Sequence, residues 1–468
     1  MSSAMLTPVN VPVGGTLQDT LHVSLVEADL YQVSEVPRQL KLRRALCVAL
    51  SISVFIAAFF VFDSYRSVVN TVGKDAVPSI IAAEQIRSRL ADAHTNLMDL
   101  FLLKEEANGA SGKAYIAAIN QAHDKLLSAA QNITFGDEER KPILMAMTQL
   151  SEYERVVGMA LVTKDPHDLL LKADTLMREH ILPAVVELDN ANFTHLASSY
   201  AEGRQAAKNY FVTFLLLSML LVVALIEAQV KMFAIFKRIV NPVMLSGLLV
   251  FIASVSCMAI KIDQISSDLR TAKEDAFDSG HVLSQAQALA YSANAQESMY
   301  LLITDKQAQA KQTALFTDAA DKIFSSKIGA ANALIADPKE LKGHGLLADE
   351  LVNVTFPGEH QAAVDTLKAW VEYVYIDKEI RQFESSGKHE QALALCIGKL
   401  EHQSDWAFDR FNAALSKTLM INQTQFDDGI ARAMSSIKQL VYLLAILLLA
   451  PVLGTIVGIQ KRLVEFRE

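Results

Sequence analysis

Apolar residues are distributed unevenly along this chain. Four long runs with few charges alternate with stretches in which apolar positions recur every three or four residues. The runs cover about 45–62, 210–230, 243–262 and 439–459, and each approaches the ~20 apolar residues that carry a helix across a bilayer. The middle two, FVTFLLLSMLLVVALI and VMLSGLLVFIASVSCMAI, flank a short segment, 231–242, with Lys231, Lys237, Arg238 and Pro242. Lys and Arg in short loops mark the cytoplasmic side, so the pair predicts a membrane hairpin with its bend inside the cell. Arg38, Lys41, Arg43 and Arg44 precede the first run, and Lys461, Arg462 and Arg467 follow the last. The same rule makes 1–44 and 460–468 cytoplasmic tails and leaves 63–209 and 263–438 outside. The first run lies too far into the chain, and is too long, for a signal-peptide h-region, and no A-x-A site follows it, so it is expected to remain as an anchor.

Between the first two runs, Ala83, Ile86, Leu90, Ala93, Leu97 and Leu100 alternate spacings of three and four, a coiled-coil-like seam. Asn108 to Gly112 ends this helix. Lys113 to Gln131 is a second helix, Asn132-Ile-Thr-Phe-Gly136 a turn, and Asp137 to Thr163 a third helix. A fourth starts with Asp165 as N-cap and Pro166 at the first helical position, and runs into the second span with a kink expected at Pro183. Four helices on a stalk of two is the expected arrangement. Leu17, Leu21, Leu25 and Ala28 fit a short amphipathic helix in an otherwise weakly ordered tail.

The second half follows the same plan. Asp63, Asp75, Ala76, Ser79, Gln85, Ala93 and Leu102 meet identical residues 200 positions on, and Asn192, Ala201 and Lys208 do so 230 positions on. Asn132-Ile-Thr-Phe135 is echoed by Asn353-Val-Thr-Phe356, and Glu152-Tyr153 by Glu372-Tyr373. The growth in offset locates a loop-rich insertion near Lys327 to Gly345, and a smaller irregularity, Ile397 to Asp405, precedes Trp406. The expected fold is all-α, with four transmembrane helices and two tandem extracytoplasmic four-helix bundles.

Composition narrows the function. The chain has 468 residues, 51% hydrophobic content and a net charge of −9. Its basic residues beyond the membrane flanks form no tract, so nucleic-acid binding is not expected. Cys47 and Cys257 lie in spans and only Cys396 lies outside, which leaves no internal disulfide for either external region. Gly109-Ala-Ser-Gly112-Lys113 lacks the glycine spacing and following Ser/Thr of a phosphate loop. No metal-ligand spacing, nucleophile elbow or cofactor motif is present, so neither catalysis nor a cofactor nor a metal is expected.

Candidate ligand contacts are Arg87 and Arg89, which become Gln287 and Leu289 in the second half and could grip an anion or form surface salt bridges. Asn192 and Asn422 fall on the seams of the two fourth helices, where a buried Asn either fixes register or meets a ligand. Glu297 stands where the first half has Leu97. A carboxylate there needs a partner or an exposed setting. The inserted segment, the adjacent turn with Asn353, Phe356 and Glu359, and Trp406 form a candidate partner-binding surface; a passive loop is the other reading. In the membrane, the small residues Ala45, Ala49, Ser53 and Ala57, and the Gly454 to Gly458 motif, permit close helix packing. Pro451 is expected to kink the last span. Glu227 and Lys261 sit only at span edges, unlike the central charges of a transport pathway.

Two long membrane-continuous helices flanking two shorter ones resemble the four-helix-bundle sensor modules of bacterial chemoreceptors and sensor kinases. Lys237-Arg-Ile-Val-Asn-Pro242 resembles the start of their linker module but runs straight into the third span. ALAYSANAQESMYLL (288–302), GLLADELVNVTFPGEHQAA (345–363), ALCIGKLEHQSDWAFDRFNAAL (394–415), TLMINQTQFD (418–427), the terminal KRLVEF and HILPAVVELDNAN (180–192) resemble an actinobacterial four-span membrane protein. That protein links an extracytoplasmic amino-acid-binding lipoprotein to a cytosolic Ser/Thr protein kinase. The resemblance implies a non-enzymatic transmembrane signal transducer in the plasma membrane, with a binding protein outside, a kinase inside and homo-oligomerisation open. The competing expectation is a structural scaffold of the cell envelope.

Overall fold

The computed structural model describes residues 17–236, 241–326 and 343–464. Helix α1 (Leu17–Asn70) passes through a π turn (Thr71–Ala76) into α2 (Val77–Leu102), followed by α3 (Ala110–Gln131), α4 (Asp137–Val162) and α5 (His167–Leu176). A second π turn (Met177–Ile181) leads into α6 (Leu182–Phe236). The second half opens with α7 (Pro242–Arg270), a π turn (Thr271–Phe277), α8 (Asp278–Leu302) and α9 (Lys306–Ile323). A pair of two-residue antiparallel strands, β1 (Ser325–Ser326) and β2 (Gly343–His344), comes next. Helices α10 (Leu346–Val352), α11 (Glu359–Ser385), α12 (His389–Cys396) and α13 (Ser404–Val464) complete the described chain.

The architecture is all-α apart from those strands, and the expected helices lie within a few residues of their observed positions. One start differs: α5 begins at His167, so that Pro166 rather than Asp165 is its N-cap. Around Pro183 the helix accommodates the missing N–H with the π turn Met177–Ile181 just before it. Residues 71–76 and 271–276, 200 apart, both lie in π turns, although only the first is followed by a proline, Pro78. Most of the inserted segment expected at Lys327 to Gly345 lies outside the described residues, as do Lys237, Arg238 and the last four residues of the terminal KRLVEFRE. Among the described residues, four continuous helices carry apolar stretches of membrane length: Val36–Leu102, His167–Phe236, Pro242–Leu302 and Ser404–Lys461. This is the signature of a multi-pass membrane protein.

The described residues form two compact units. One comprises the chain up to Asp63, Ala206–Ile262, and Lys438 onward; the other comprises Ser64–Gln205 and Asp263–Ile437. In the first unit, Arg43 pairs with Glu227 at 3.0 Å and Phe60 stacks on Tyr210. The small residues of the last span pack against α7. A Cβ added at Gly454 would lie 3.2 Å from the Gly247 Cα, and Asn241 Nδ2 donates to the Gly458 carbonyl at 2.9 Å. The glycine motif of α13 thus meets Gly247, a residue not singled out from the sequence.

Among the described residues, the second unit has two hydrophobic cores. One is built from α2, α3, α4, α5 and α6, around Leu90, Leu150, Tyr153 and Val185; the other from α8, α9, α11 and α13, around Leu367, Trp370, Tyr373 and Phe411. Neither is confined to its own half of the sequence. Ala295, Met299 and Ile303 enter the first core, and Leu102 enters the second. The two meet where α2 packs along α8. Ala295, a small side chain of α8 that is 1% exposed, enters the first core and leaves room for that approach.

The glycine contact in the first unit gives a direct test. Leucine at Gly454 must displace the α7 backbone, whereas alanine at Gly158, which has open space around it within α4, only gains helix propensity of roughly 0.5–1 kcal/mol. Gly454→Leu is expected to lower the melting midpoint of the detergent-solubilised protein, and Gly158→Ala to leave it unchanged or raise it. Equal midpoints for Gly454→Leu and wild type would remove the glycine contact from the packing account.

Candidate functional site

A polar cavity of the second unit lies between α2, α8 and α13 and has a volume of about 580 Å³, within the usual range for small-molecule sites. Helical periodicity assembles its walls. Ile81, Glu84, Gln85, Ser88 and Arg89 come from one face of α2, while His281, Ser284, Gln287 and Tyr291 come from α8. Asn412, Ser416, Asn422 and Gln423 come from α13. The lining therefore carries a cation, a carboxylate and several amides and hydroxyls. Ser88 Oγ donates to Gln287 Oε1 at 3.4 Å, Arg89 is half-exposed and pairs with Asp92 at 3.6 Å, and the Asn412 and Asn422 side-chain carbonyl oxygens are buried without a hydrogen-bond donor.

Two of the lining residues, Glu84 and His281, belong to a charged quartet completed by Arg87 and Asp189. His281 Nδ1 sits 2.6 Å from Glu84 Oε1 and 3.9 Å from Asp189 Oδ1, and Arg87 Nη1 lies 3.9 Å from Asp189 Oδ2. All four are at least nine-tenths buried. Phe193 stacks on the imidazole at 4.8 Å, and Gln285 Nε2 lies 2.8 Å from His281 Nε2. Burial raises both Glu84 and Asp189 above the ordinary carboxylate range and lowers the Arg87 guanidinium. Burial alone would also lower His281, but the bond to Glu84 and the charges of Glu84 and Asp189 outweigh it and hold the imidazole above its usual value. Ligand atoms of Glu84, Asp189 and His281 lie within 4.8 Å of one another and could converge on a cation. Arg87 already supplies a positive charge to Asp189, so two acids facing two bases form a balanced network without a metal.

The residues singled out from the sequence fall in different places. Arg87 and Arg89 do not share a ligand site: residues two apart on a helix point in different directions, and they line different cavities. Asn192 and Asn422, both buried, donate to carbonyls of their own helices, Leu188 at 3.0 Å and Thr418 at 3.3 Å. Asn422 also reaches Glu350 Oε1 at 3.5 Å, and Asn192 lines a separate cavity of about 380 Å³ with Lys74, Asn132 and Thr134.

Glu297 is 1% exposed, which overturns exposure through a slipped register. Ser404 donates to it at 2.6 Å, and burial, reinforced by the charge of Asp377, pushes its carboxyl well above the usual range. The buried site thus favours the neutral acid, which avoids the cost of an isolated buried charge.

The expected partner surface is partly structural. Glu359 is fully buried, and its Oε2 accepts from the backbone N–H groups of Thr355 and Phe356 at 2.8 and 2.9 Å. Asn353 donates to Ser279 Oγ at 2.8 Å, and Phe356 is buried. Phe356 and Glu359 hold the turn from inside, whereas Asn353, although bonded to Ser279, is exposed. Glu139 makes the same two bonds to Thr134 and Phe135, and a glycine with positive φ adjoins each turn, Gly136 at 70° and Gly358 at 83°. Trp406 remains partly exposed beneath Arg410, whose guanidinium lies 5.4 Å from the ring centroid.

Glu84, Asp189, His281, Gln287 and Asn412 were not singled out from the sequence. A signal was nevertheless present: His281 stands 200 positions from Ile81, and Asp189 stands 230 positions from Leu419. Each is a buried ionisable residue where the other half places an apolar one.

Residues 68–201 match the family model of the actinobacterial sensor domain. The match includes α2 to α5, the start of α6 and Glu84, Arg87, Arg89 and Asp189 of the site, and it points to a role in sensing or signalling. No curated protein matches the chain.

Several carboxyls near the cavity and between α2 and α8 titrate high. Burial raises Asp99 to about 6 against the opposing Ser298 bond; burial and the Glu359 charge raise Glu350 to about 7; burial and the Asp99 charge raise Asp405 to about 7. Their unfolded values lie near 4, so between about pH 4 and 7 the folded state binds more protons and its stability falls as pH rises. The raised His281 acts in the same direction. Lowering the pH from 8 to 5 is expected to raise the melting midpoint of the second unit by roughly 3–10 °C. Asp405→Asn should reduce this slope, and a midpoint that falls on acidification would contradict the assignments.

Proposed function

We propose that the protein is a membrane-embedded sensor, a transmembrane signal transducer without catalytic activity of its own. It receives an extracytoplasmic signal at the cavity between α2, α8 and α13 and passes it to a cytoplasmic partner such as a protein kinase. The observation that carries this reading is the polar cavity itself, lined by a helix that continues into an apolar run. Helix α13 contributes Asn412, Ser416 and Asn422 to the lining and also contains the run 439–459. A ligand that favours one position of α13 biases the equilibrium of the whole helix only by its differential affinity for the two positions. The sensor-domain match and the resemblance to the four-span kinase-linked transducer support the same reading.

The lining suits a small zwitterion. Arg89 offers its guanidinium to a carboxylate, Glu84 stands nearby for an ammonium, and Gln287 and Asn412 present amides to polar side groups. Amino acids, free or delivered by a binding protein, have this chemistry. The test is the melting midpoint of the full-length protein in detergent against each standard amino acid at millimolar concentration. At least one is expected to raise it, by about 2.7 kcal/mol of added stability at a hundredfold excess over Kd, and the Arg89→Ala/Asn412→Leu double variant should lose the response. If no amino acid changes the midpoint, or the double variant responds like wild type, direct sensing at this cavity is wrong. A passive scaffold would give the first of these outcomes.

The orientation follows from the basic flanks: both bundles are proposed to lie outside and both ends inside. Cysteines placed singly at Ser111 and Ser386, in a background lacking Cys47, Cys257 and Cys396, are expected to react with an impermeant maleimide in intact cells. Labelling only after permeabilisation would invert the topology.

A further inference from the structure

A second cavity, of about 570 Å³, lies between α6, α8 and α9 and includes Arg87 and Arg178. Its lining corresponds to that of the first cavity through the two offsets read from the sequence. Gln85, Ser88 and Arg89 of the first cavity become Gln285, Ala288 and Leu289 of the second, 200 positions on. Gln287 of the first becomes Arg87 of the second, by the same offset in reverse. Asn412, Ala413 and Ser416 become Leu182, Pro183 and Val186, 230 positions back. The two cavities thus occupy corresponding places in the two halves with opposite character. The polar wall of the first is replaced by Leu182, Pro183, Val186 and Leu289, and Leu315 adds to it, while the cation has moved to another position on the rim.

Arg87 is 8% exposed. Its Nη1 faces Asp189 at 3.9 Å, but Nε and Nη2, the two nitrogens along one edge of the guanidinium, have no acceptor. That edge is the one that takes a carboxylate side-on with two parallel hydrogen bonds. Buried donors left unpaired destabilise the folded state, and an anionic group of a ligand would satisfy both. Arg178 Nε likewise lacks a hydrogen-bond acceptor, with Asp174 Oδ2 at 3.7 Å.

We infer that this second cavity is a binding site for a small monocarboxylate with an apolar body. Its carboxylate sits on the Nε/Nη2 edge of Arg87, and its hydrocarbon part lies against Leu182, Val186, Leu289 and Leu315. Leu182, Val186 and Leu289 offer an ammonium no acceptor, so against this wall a hydrocarbon body is better matched than a zwitterion, whose ammonium would have to reach Gln296 or Asp318 elsewhere in the lining. The inference does not depend on the sensor reading: it rests on the second cavity's own residues.

The probe is 3-phenylpropionate, titrated calorimetrically into the full-length protein in lipid nanodiscs, with empty nanodiscs as the blank. Two comparison probes separate the contributions: 3-phenylpropanol keeps the apolar body without the charge, and propionate keeps the charge without the body. Saturable binding of 3-phenylpropionate is expected, at least tenfold tighter than either. Arg87→Gln should weaken it tenfold or more. Because that change also removes a neighbour of Asp189, Val186→Glu serves as the second variant; it places a like charge on the half-exposed wall, leaves the quartet intact and should abolish binding. Arg89→Ala, in the first cavity, should change nothing. Absent or non-saturable binding, equal affinity for the alcohol, or wild-type binding by Val186→Glu would each overturn the site. A response to Arg89→Ala would move the ligand to the first cavity.

Discussion

The packing of α2 along α8 is the constraint on which the rest of the second unit depends. Each helix belongs to a different half of the sequence, and each buries polar as well as apolar side chains in the contact. Thr95 Oγ1 donates to the Tyr291 carbonyl at 3.0 Å, Ser298 Oγ to Asp99 at 2.8 Å, and His281 meets Glu84 at 2.6 Å. Nearby, Gln296 of α8 donates to Asp174 at 3.0 Å. A buried polar group without a partner costs more than a satisfied one gains, so these pairs specify one register between the helices. An apolar seam alone would tolerate sliding by a turn. The register in turn aligns the faces that line the cavities on either side.

The same contact explains why the titratable groups concentrate where they do. Asp99, Glu84 and Asp189 are removed from water by the neighbouring half of the chain, and Asp405 is raised by Asp99 across the halves. Charge balance differs from cluster to cluster. Two bases oppose two acids in the Glu84 quartet, whereas Glu297 and Asp377 share the single guanidinium of Arg381, 2.8 Å from Asp377. In the first cluster burial raises both carboxyls, and the charges of His281 and Arg87 oppose that rise. The second is stable with a proton retained on a carboxyl. The clusters are therefore unequal in their response to acid, and that inequality lies in the second unit rather than in its membrane spans.

The two cavities correspond through the internal similarity of the chain. Positions that carry Ser88, Arg89, Asn412 and Ser416 on one side carry Ala288, Leu289, Leu182 and Val186 on the other. Two equal cavities would need only one chemistry. The linings differ while turns such as Asn132 to Glu139 and Asn353 to Glu359 keep the same carboxylate-to-backbone bonds, so the two halves share local turn geometry where their cavity walls do not match.

Local pattern determined much of this protein. The four apolar runs, the seam from Ala83 to Leu100, the helix ends at Gln131 and near Thr163, and the paired Asn-x-Thr-Phe turns depend on spacing and on residues close in sequence, so they could be read directly. Helix start was less certain at Pro166, where one residue separates two acceptable caps. What the tertiary structure decided was pairing. The glycines of the last span could have met the small residues of the first; backbone geometry sets Gly454 against Gly247 instead. Arg87 and Arg89 are neighbours in sequence, yet the 100° turn per helical residue sends one to each cavity. Glu297 and Glu359 read as exposed or partner-facing because a lone carboxylate rarely enters a core, and their partners, Ser404 and the backbone of Thr355 and Phe356, become evident only once the chain has folded back. Sequence carries periodicity because it acts over one or two turns; which faces meet depends on contacts between residues some 200 positions apart, and no local signal encodes them.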